Sequence, residues 1–405
     1  MPGTNKTSEG VSSVIDYDEV LNRNVQSLRP SGIRRFFDIA SEMDNVISLS
    51  IGEPDFTTPW HVREEAIRTL EDGKTWYSPN RGFLELRKAI ARFVELHYHL
   101  QYDPAEEILV TVGGSEAIDL ALRCLVSPGD EVLIPEPSFV CYKPLTQMAG
   151  GIPVVVETKQ EDNFRLKAKA LREKITPKTK LLILPYPNNP TGAVMHRNDL
   201  EEVAEVVRDA GLMVISDEIY SELTYGDSRH VSFASLDGMK ERTVLINGFS
   251  KTFAMTGWRL GYAAAAQPII KQMTKLHQYG IMSAPTTAQY AAVEALKNGE
   301  NDIVEMREQY DMRRRLIVNG FNEMGLSCFE PEGAFYVFPC IKSTGLSSEE
   351  FCQELIRRER VAVVPGNAFG DCGEGYVRVS YSYSPKHIME ALSRIEHFVK
   401  SGKVT

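Results

Sequence analysis

The stretch LLILPYPNNPTGAVMHRNDLEEVAEVVRDAGLMVISDEIY, residues 181–220, decides the fold. It opens and closes on apolar runs, LLIL (181–184) and LMVIS (212–216), which are short, β-prone and continuously hydrophobic. Such runs suit strands buried on both faces. Between them, NDLEEVAEVVRDAG places Leu200, Val203, Val206 and Val207 on one helical face, with a polar cap ahead and Gly211 as the stop. Strand, helix and strand in that order predict a βα unit of a parallel sheet covered on both sides.

The same texture spreads outward. ILVTV (108–112), EVLI (131–134), PVVV (153–156), TVLIN (243–247) and LGYAAAA (260–266) complete a set of seven apolar runs separated by amphipathic segments. The expected fold class is therefore α/β, with a large domain on a mostly parallel seven-stranded sheet. Past about residue 290 the pattern changes to a long charged helical run around Glu305 to Gly325, then short strands around GAFYVF and VRVSYS. That is an α+β texture. We expect an N-terminal arm over 1–30, a large domain over 50–290, and a smaller domain from 31–49 together with 291–405.

Composition narrows the function. A 405-residue chain with 43% hydrophobic and 25% charged residues can bury more than one core. A formal charge of −10 offers no basic stripe for a nucleic-acid backbone. The six cysteines are scattered, without a CxxC pair or metal spacing, and read as reduced thiols in a cytoplasmic protein. Neither a signal-peptide core nor 18 consecutive apolar residues is present, so we expect no membrane partner.

Four strand ends carry the candidate chemistry. In VTVGGSEAIDLALRCL, Gly113 and Gly114 precede a helix opened by Ser115 and Glu116, an arrangement that lets backbone N–H groups meet an anion; a plain N-cap at Ser115 fits as well. In LLILPYPNNPTGAV, Asn189 sits in an ordered turn where α/β sheets bind ligands; by itself the motif fits a plain turn as well. In LMVISDEIY, Asp217 ends an apolar strand and predicts a nearby cation, with Tyr220 three residues on; a helix N-cap at Asp217 fits as well. In NGFSKTFAMTGWRLGY, Lys251 follows a strand and Arg259 precedes the next one; taken alone, a surface loop lysine fits as well. A lysine shielded from water beside another cation becomes nucleophilic, and an arginine captures phosphate through two N–H groups.

An amine, a carboxylate, an amide and an anion cradle match the needs of pyridoxal 5'-phosphate. A carboxylate about 4 Å from the ring nitrogen, at an effective dielectric near 20, is worth roughly 4 kcal/mol, or about three pKa units. The ring nitrogen then keeps its proton.

GGSEAI, EPSFVCY, YPNNPTG, SDEIY, SKTFAMTGWRLGY and YVRVSYS occur in an order and spacing that resemble the fold-type-I pyridoxal-phosphate-dependent aminotransferases of class I/II. The resemblance runs from about residue 25 to the C-terminus and is nearest the branch with prokaryotic aspartate and aromatic aminotransferases. It implies Lys251 as the cofactor-linking lysine and proton shuttle, and Asp217 as the partner of the ring nitrogen. Tyr220 and Asn189 would bond the ring oxygen, and Phe139 would stack on the ring. Gly114, Ser115, Glu116, Ser250 and Arg259 would surround the phosphate, and Tyr77 would reach the phosphate site of a neighbouring subunit in a homodimer with shared active sites. Arg378, assisted by Asn189 and Gly52, would bind the substrate carboxylate.

The activity implied is ping-pong transfer of an amino group between an L-amino acid, aromatic or aspartate-like, and a 2-oxo acid such as 2-oxoglutarate. Some relatives read a distal carboxylate with an arginine shortly after this strand, yet KQMTKLHQYGIMSAPTTAQY holds none, leaving Lys275 and His277 as the charged candidates near its centre. Phe335 and Tyr336 could instead wall an apolar side chain. A C–S β-lyase or another non-transaminating enzyme on the same cofactor would use the same lysine, acid and arginine. A regulator with an aminotransferase-like domain would be expected to carry a basic helix-turn-helix module, which about 30 short, acidic leading residues do not supply.

Overall fold

The computed structural model describes residues 15–28, 30, 32 and 43–401. Residues 1–14 and 29 of the expected arm and 31, 33–42 and 402–405 of the expected small domain lie outside that range. The chain divides into two compact units, Met1–Pro30 and Ser31–Thr405. In the first, Tyr17–Val20 and Arg23–Gln26 form single-turn helices, each started by a side chain: Asp16 accepts from the Asp18 N–H, and Asn22 from the Asn24 N–H.

The second unit holds twelve strands among the described residues. All seven apolar runs of the sequence are strands of one sheet: β2 (Ile108–Thr111), β3 (Glu131–Glu136), β4 (Ile152–Glu157), β5 (Thr179–Leu184), β6 (Met213–Asp217), β7 (Thr243–Gly248) and β8 (Gly261–Ala264). Their order is β2-β8-β7-β6-β5-β3-β4, and only β8 runs against its neighbours. Every residue of β2, β7 and β8 is buried, as continuous hydrophobicity requires.

The helix of the opening stretch spans Arg197–Asp209 and buries Leu200, Val203, Val206 and Val207. It stops at Gly211, whose φ of 67° is left-handed. There the Gly211 N–H donates to Arg208 O and the Leu212 N–H to Val207 O, at 3.2 and 3.0 Å, a Schellman closure.

The remaining strands are short. β1 (Ile47–Ser48) pairs in parallel with β10 (Val361–Ala362), and β11 (Val364–Pro365), β12 (Val377–Ser380) and β9 (Tyr336–Val337) form an antiparallel sheet. Leu49, Tyr310, Phe335, Val379 and Phe398 share a core over these elements with the helices Glu300–Glu323 and Pro385–Ser401. Among the described residues no helix is long and apolar enough to cross a membrane, and all six cysteines are free.

The topology decides where chemistry gathers. Strands β2, β3, β5, β6 and β7 end at one edge of the sheet, and antiparallel β8 begins there. The segments after Thr111, Glu136, Leu184, Asp217 and Gly248 therefore meet the segment before Gly261.

Candidate active site

At that edge a cavity of about 390 Å³ is lined by Gly52, Gly114, Ser115, Phe139, Asn189, Asp217, Tyr220, Ser250, Lys251, Arg259 and Arg378, residues drawn from eight separate stretches of chain. A second groove, between Gln160 and Glu332, carries Arg314 paired with Glu330, and Glu332 paired with His196 and with Arg165.

Lys251 lies on the one-turn helix Phe249–Thr252 that follows β7. Its Nζ donates to the Gly52 carbonyl at 2.5 Å. Among the described residues no carboxylate pairs with it. Burial lowers its pKa to about 8; Glu53 opposes the shift, and Arg378 and Arg259 add to it. A usable fraction of the amine is thus neutral near physiological pH.

Asp217 ends β6 and is 7% exposed. The cation its burial predicts is supplied by no side chain among the described residues. Its Oδ2 accepts from the Tyr142 hydroxyl at 2.7 Å and its Oδ1 from the Ile219 N–H at 3.3 Å. Burial raises its pKa to about 6; those two hydrogen bonds hold it down, and neighbouring Glu218 pushes it up. Glu218 itself faces away, accepting from the Ser216 and Ser232 hydroxyls at 2.7 and 2.9 Å and pairing with His230 at 2.7 Å.

Arg378, on β12, is 2% exposed and forms no ion pair among the described residues. Its Nη1 donates to Asn189 Oδ1 at 3.0 Å, its Nη2 to Ser50 O at 2.5 Å, and its Nε has no partner. The guanidinium lies 4.6 Å from the centre of the Tyr336 ring and 4.9 Å from that of Phe369. A buried cation with a spare donor, held between two aromatic rings, is built to receive a carboxylate. Asn189 turns its oxygen to Arg378, which leaves its Nδ2 to donate. Tyr220 and Tyr336 join through their hydroxyls at 2.9 Å.

The opposite end of the cavity suits a phosphate. The helix Gly114–Leu125 starts after Gly113, whose φ is 79°, and presents its first-turn N–H groups there. The Arg259 guanidinium covers this turn: a Cβ on Gly113 would lie 2.7 Å from its Nη2. Its Nη1 is tied to Thr256 O at 2.9 Å. Gly261 permits the close approach beneath, since a Cβ there would lie 2.7 Å from both Gly113 C and Gly114 N. Gly261→Ala is therefore expected to destabilise the fold by about 1–3 kcal/mol and to weaken phosphate binding, read by denaturant titration and by titration with inorganic phosphate.

The expected role of the Glu116 side chain needs correction, and the other candidates divide between the cavity wall, the core and the surface. The Glu116 side chain does not line the cavity: it accepts from the Val112 N–H and pairs with His277 Nδ1 at 2.7 Å, so only its backbone N–H is left to the phosphate end. His277 is fully buried in that pair, and Lys275 points to Gln272 Oε1 at 2.8 Å, so neither reaches the cavity to read a distal carboxylate. Phe335 packs in the core edge-on to Tyr220, while Tyr336 does line the cavity. Tyr77, expected to reach a neighbouring subunit, is 78% exposed and does not line this protomer's own cavity.

Two participants went unread in the sequence: Tyr142, and the hydroxyl of Tyr336. The position of Tyr142, three residues after Phe139 at the start of the next helix, was the available signal.

These residues fit pyridoxal 5'-phosphate on the donor set alone: a neutralisable amine, a buried carboxylate without a cation, and a cationic helix N-terminus facing one cavity. Comparison agrees. Residues 44–395 match the family described as aminotransferase class I and II. The chain is 49% identical over 380 residues to an aspartate aminotransferase of Pyrococcus abyssi, covering 93% of this chain and 98% of that one. It is 47% identical over 386 residues to aromatic-amino-acid aminotransferase 2 of Thermococcus litoralis, covering 95% and 99%. The crystal structure of an aromatic aminotransferase from Pyrococcus horikoshii superposes with a TM-score of 0.88 at 49% identity, covering 91% of this chain and 100% of that one. The chain belongs to the class I and II aminotransferases of fold type I, enzymes that transfer an amino group between an amino acid and a 2-oxo acid.

Proposed function

We propose that the protein binds pyridoxal 5'-phosphate in this cavity and transfers amino groups from aromatic L-amino acids to a 2-oxo acid such as 2-oxoglutarate. The observation that carries the reading is that Lys251, Asp217 and Arg378 face one cavity, each without an oppositely charged partner among the described residues. The cofactor, when bound, supplies an aldehyde and an electron-accepting ring.

The chain's own residues do the rest. With the group bound, Lys251 Nζ would be placed to take the proton from the substrate Cα and to carry it. Asp217 holds the proton on the ring nitrogen. Tyr220 and the free Nδ2 of Asn189 donate to the ring oxygen, and Phe139 covers the ring face. Ser115, Ser250, Arg259 and the N–H groups from Gly114 to Glu116 hold the phosphate. Arg378 receives the α-carboxylate, and the Gly52 carbonyl orients the amine.

The substrate preference rests on the walls. Ile51, Ile118, Phe139, Pro187, Ile219 and Tyr336 are apolar or aromatic, and the three lining cations, Lys251, Arg259 and Arg378, already have roles. Glu53, at the same wall, disfavours a second carboxylate. With 2-oxoglutarate as acceptor, phenylalanine and tyrosine are expected to exceed aspartate in kcat/KM by about tenfold or more, with parallel double-reciprocal lines. Aspartate as the better donor overturns the preference, and release of pyruvate and ammonia without an oxo acid overturns the reaction.

The reading extends to a cytoplasmic homodimer in which Tyr77 completes the partner's phosphate site. The exposure of Trp60, Trp76, Tyr77 and Tyr279 supports such an interface. A large domain over 50–290 and a small one from 31–49 and 291–405 belong to the same proposal.

A further inference from the structure

We infer that Tyr142 is a positioning residue for the ring-nitrogen end of the site: its hydroxyl holds one oxygen of Asp217 so that the carboxylate keeps its other oxygen toward the cofactor. The inference rests on the reading that pyridoxal 5'-phosphate occupies the cavity.

Three observations carry it. First, the Tyr142 hydroxyl donates to Asp217 Oδ2 at 2.7 Å, a short bond to a buried acid, whereas the N–H bond to Oδ1 is long at 3.3 Å. One oxygen is thus fixed and the other retains acceptor capacity. Second, Tyr142 cannot easily leave. It is 2% exposed, begins the helix Tyr142–Met148, and packs in the same core as Ile118, Leu122 and Ile215. Third, it touches both groups proposed to face the ring: its own ring stands edge-on to Phe139, with centres 6.0 Å apart at 83°.

Burial and the neighbouring Asp217 raise the Tyr142 hydroxyl well above its ordinary pKa, so it keeps its proton and remains a donor. Without that donor, Asp217 has only the Ile219 N–H to resist the effect of its burial. The carboxylate then loses both its orientation and part of its tendency to ionise.

Tyr142→Phe removes the hydroxyl and keeps the ring. The decisive comparison uses two probes, pyridoxal 5'-phosphate and its 1-deaza analogue, in which a C–H group replaces the ring nitrogen. The variant is expected to bind pyridoxal 5'-phosphate about tenfold or more weakly, the range for a lost hydrogen bond to a charged group, and to bind the analogue as the wild type does. Amino-group transfer should fall through kcat, with KM for the amino donor held. Equal losses for both probes, or no loss for either, overturn the inference and assign Tyr142 to packing alone.

Tyr142→His keeps an N–H donor at this position and is expected to hold pyridoxal 5'-phosphate more tightly than Tyr142→Phe; the reverse order also overturns it. If Tyr142→Phe does not accumulate as folded protein, the ratio of the two affinities in Tyr142→His is measured against wild type, and a ratio that is unchanged overturns the inference. A wild-type protein that fails to bind pyridoxal 5'-phosphate sinks the proposed function itself, an outcome distinct from any of these.

Discussion

Lys251→Ala is expected to lose covalent capture of the cofactor and to drop amino-group transfer by about four orders of magnitude or more, because one amine serves as both nucleophile and proton carrier. Borohydride treatment of wild-type protein with pyridoxal 5'-phosphate should mark the peptide containing Lys251; in the variant that mark should vanish. Retained linkage in the variant shows that another amine does the work. The pKa of about 8 gives the reaction a pH signature in wild type. Only the neutral amine attacks, so the rate of cofactor attachment should rise with pH and level off above about 8, falling about tenfold per unit below it. The protein should remain folded: the variant loses one hydrogen bond to Gly52 O and also removes a desolvated cation that Arg378 and Arg259 disfavour.

Much of this arrangement is visible in the sequence because it depends on local pattern. Continuous apolar runs gave the seven strands, since a strand buried on both faces has no polar side to show. The strand ends then put Asp217, Lys251 and Asn189 at one edge. What could not be read depends on partners far away in the chain. Gly52 and Lys251 are 199 residues apart, Glu116 and His277 are 161 apart, and Ser50 and Arg378 are 328 apart. No local pattern encodes such meetings.

Two local outcomes have a simpler cause, the direction of neighbouring side chains. Residues two apart on an α-helix point about 200° apart, so Lys275 and His277 on Gln267–Gly280 could not both face the cavity; one is outward and the other is in the core. Phe335 lies in the turn before β9 and packs into the core, whereas Tyr336, the first residue of that strand, lines the cavity. Tyr142 was hidden for another reason: an aromatic three residues after Phe139 in an apolar stretch has the pattern of core, and it is core at its ring. Only its hydroxyl belongs to the site.

Asp217→Asn should separate stability from function. A carboxyl whose pKa rises from 3.8 to about 6 on folding binds its proton more tightly in the folded state than in the unfolded one. The folded protein is therefore favoured below the unfolded value and loses stability as pH rises between about 4 and 6, with the full penalty present above that window. The shift corresponds to about 3 kcal/mol. Asparagine keeps the shape and an oxygen for Tyr142 but has no charge to desolvate. Without cofactor, the variant is expected to be more stable than wild type by about 1–3 kcal/mol at pH 7.5, with the difference vanishing below about pH 4. With pyridoxal 5'-phosphate the order should reverse, because the carboxylate gains a cationic partner that the amide cannot hold. Activity should fall about a thousandfold, matching roughly three pKa units lost at the ring nitrogen. Denaturant titrations with and without cofactor across that pH range test both signs at once. A variant less stable than wild type in the cofactor-free state would mean that Asp217 is already satisfied by protein groups, and the argument that its buried charge awaits the ring nitrogen would fail.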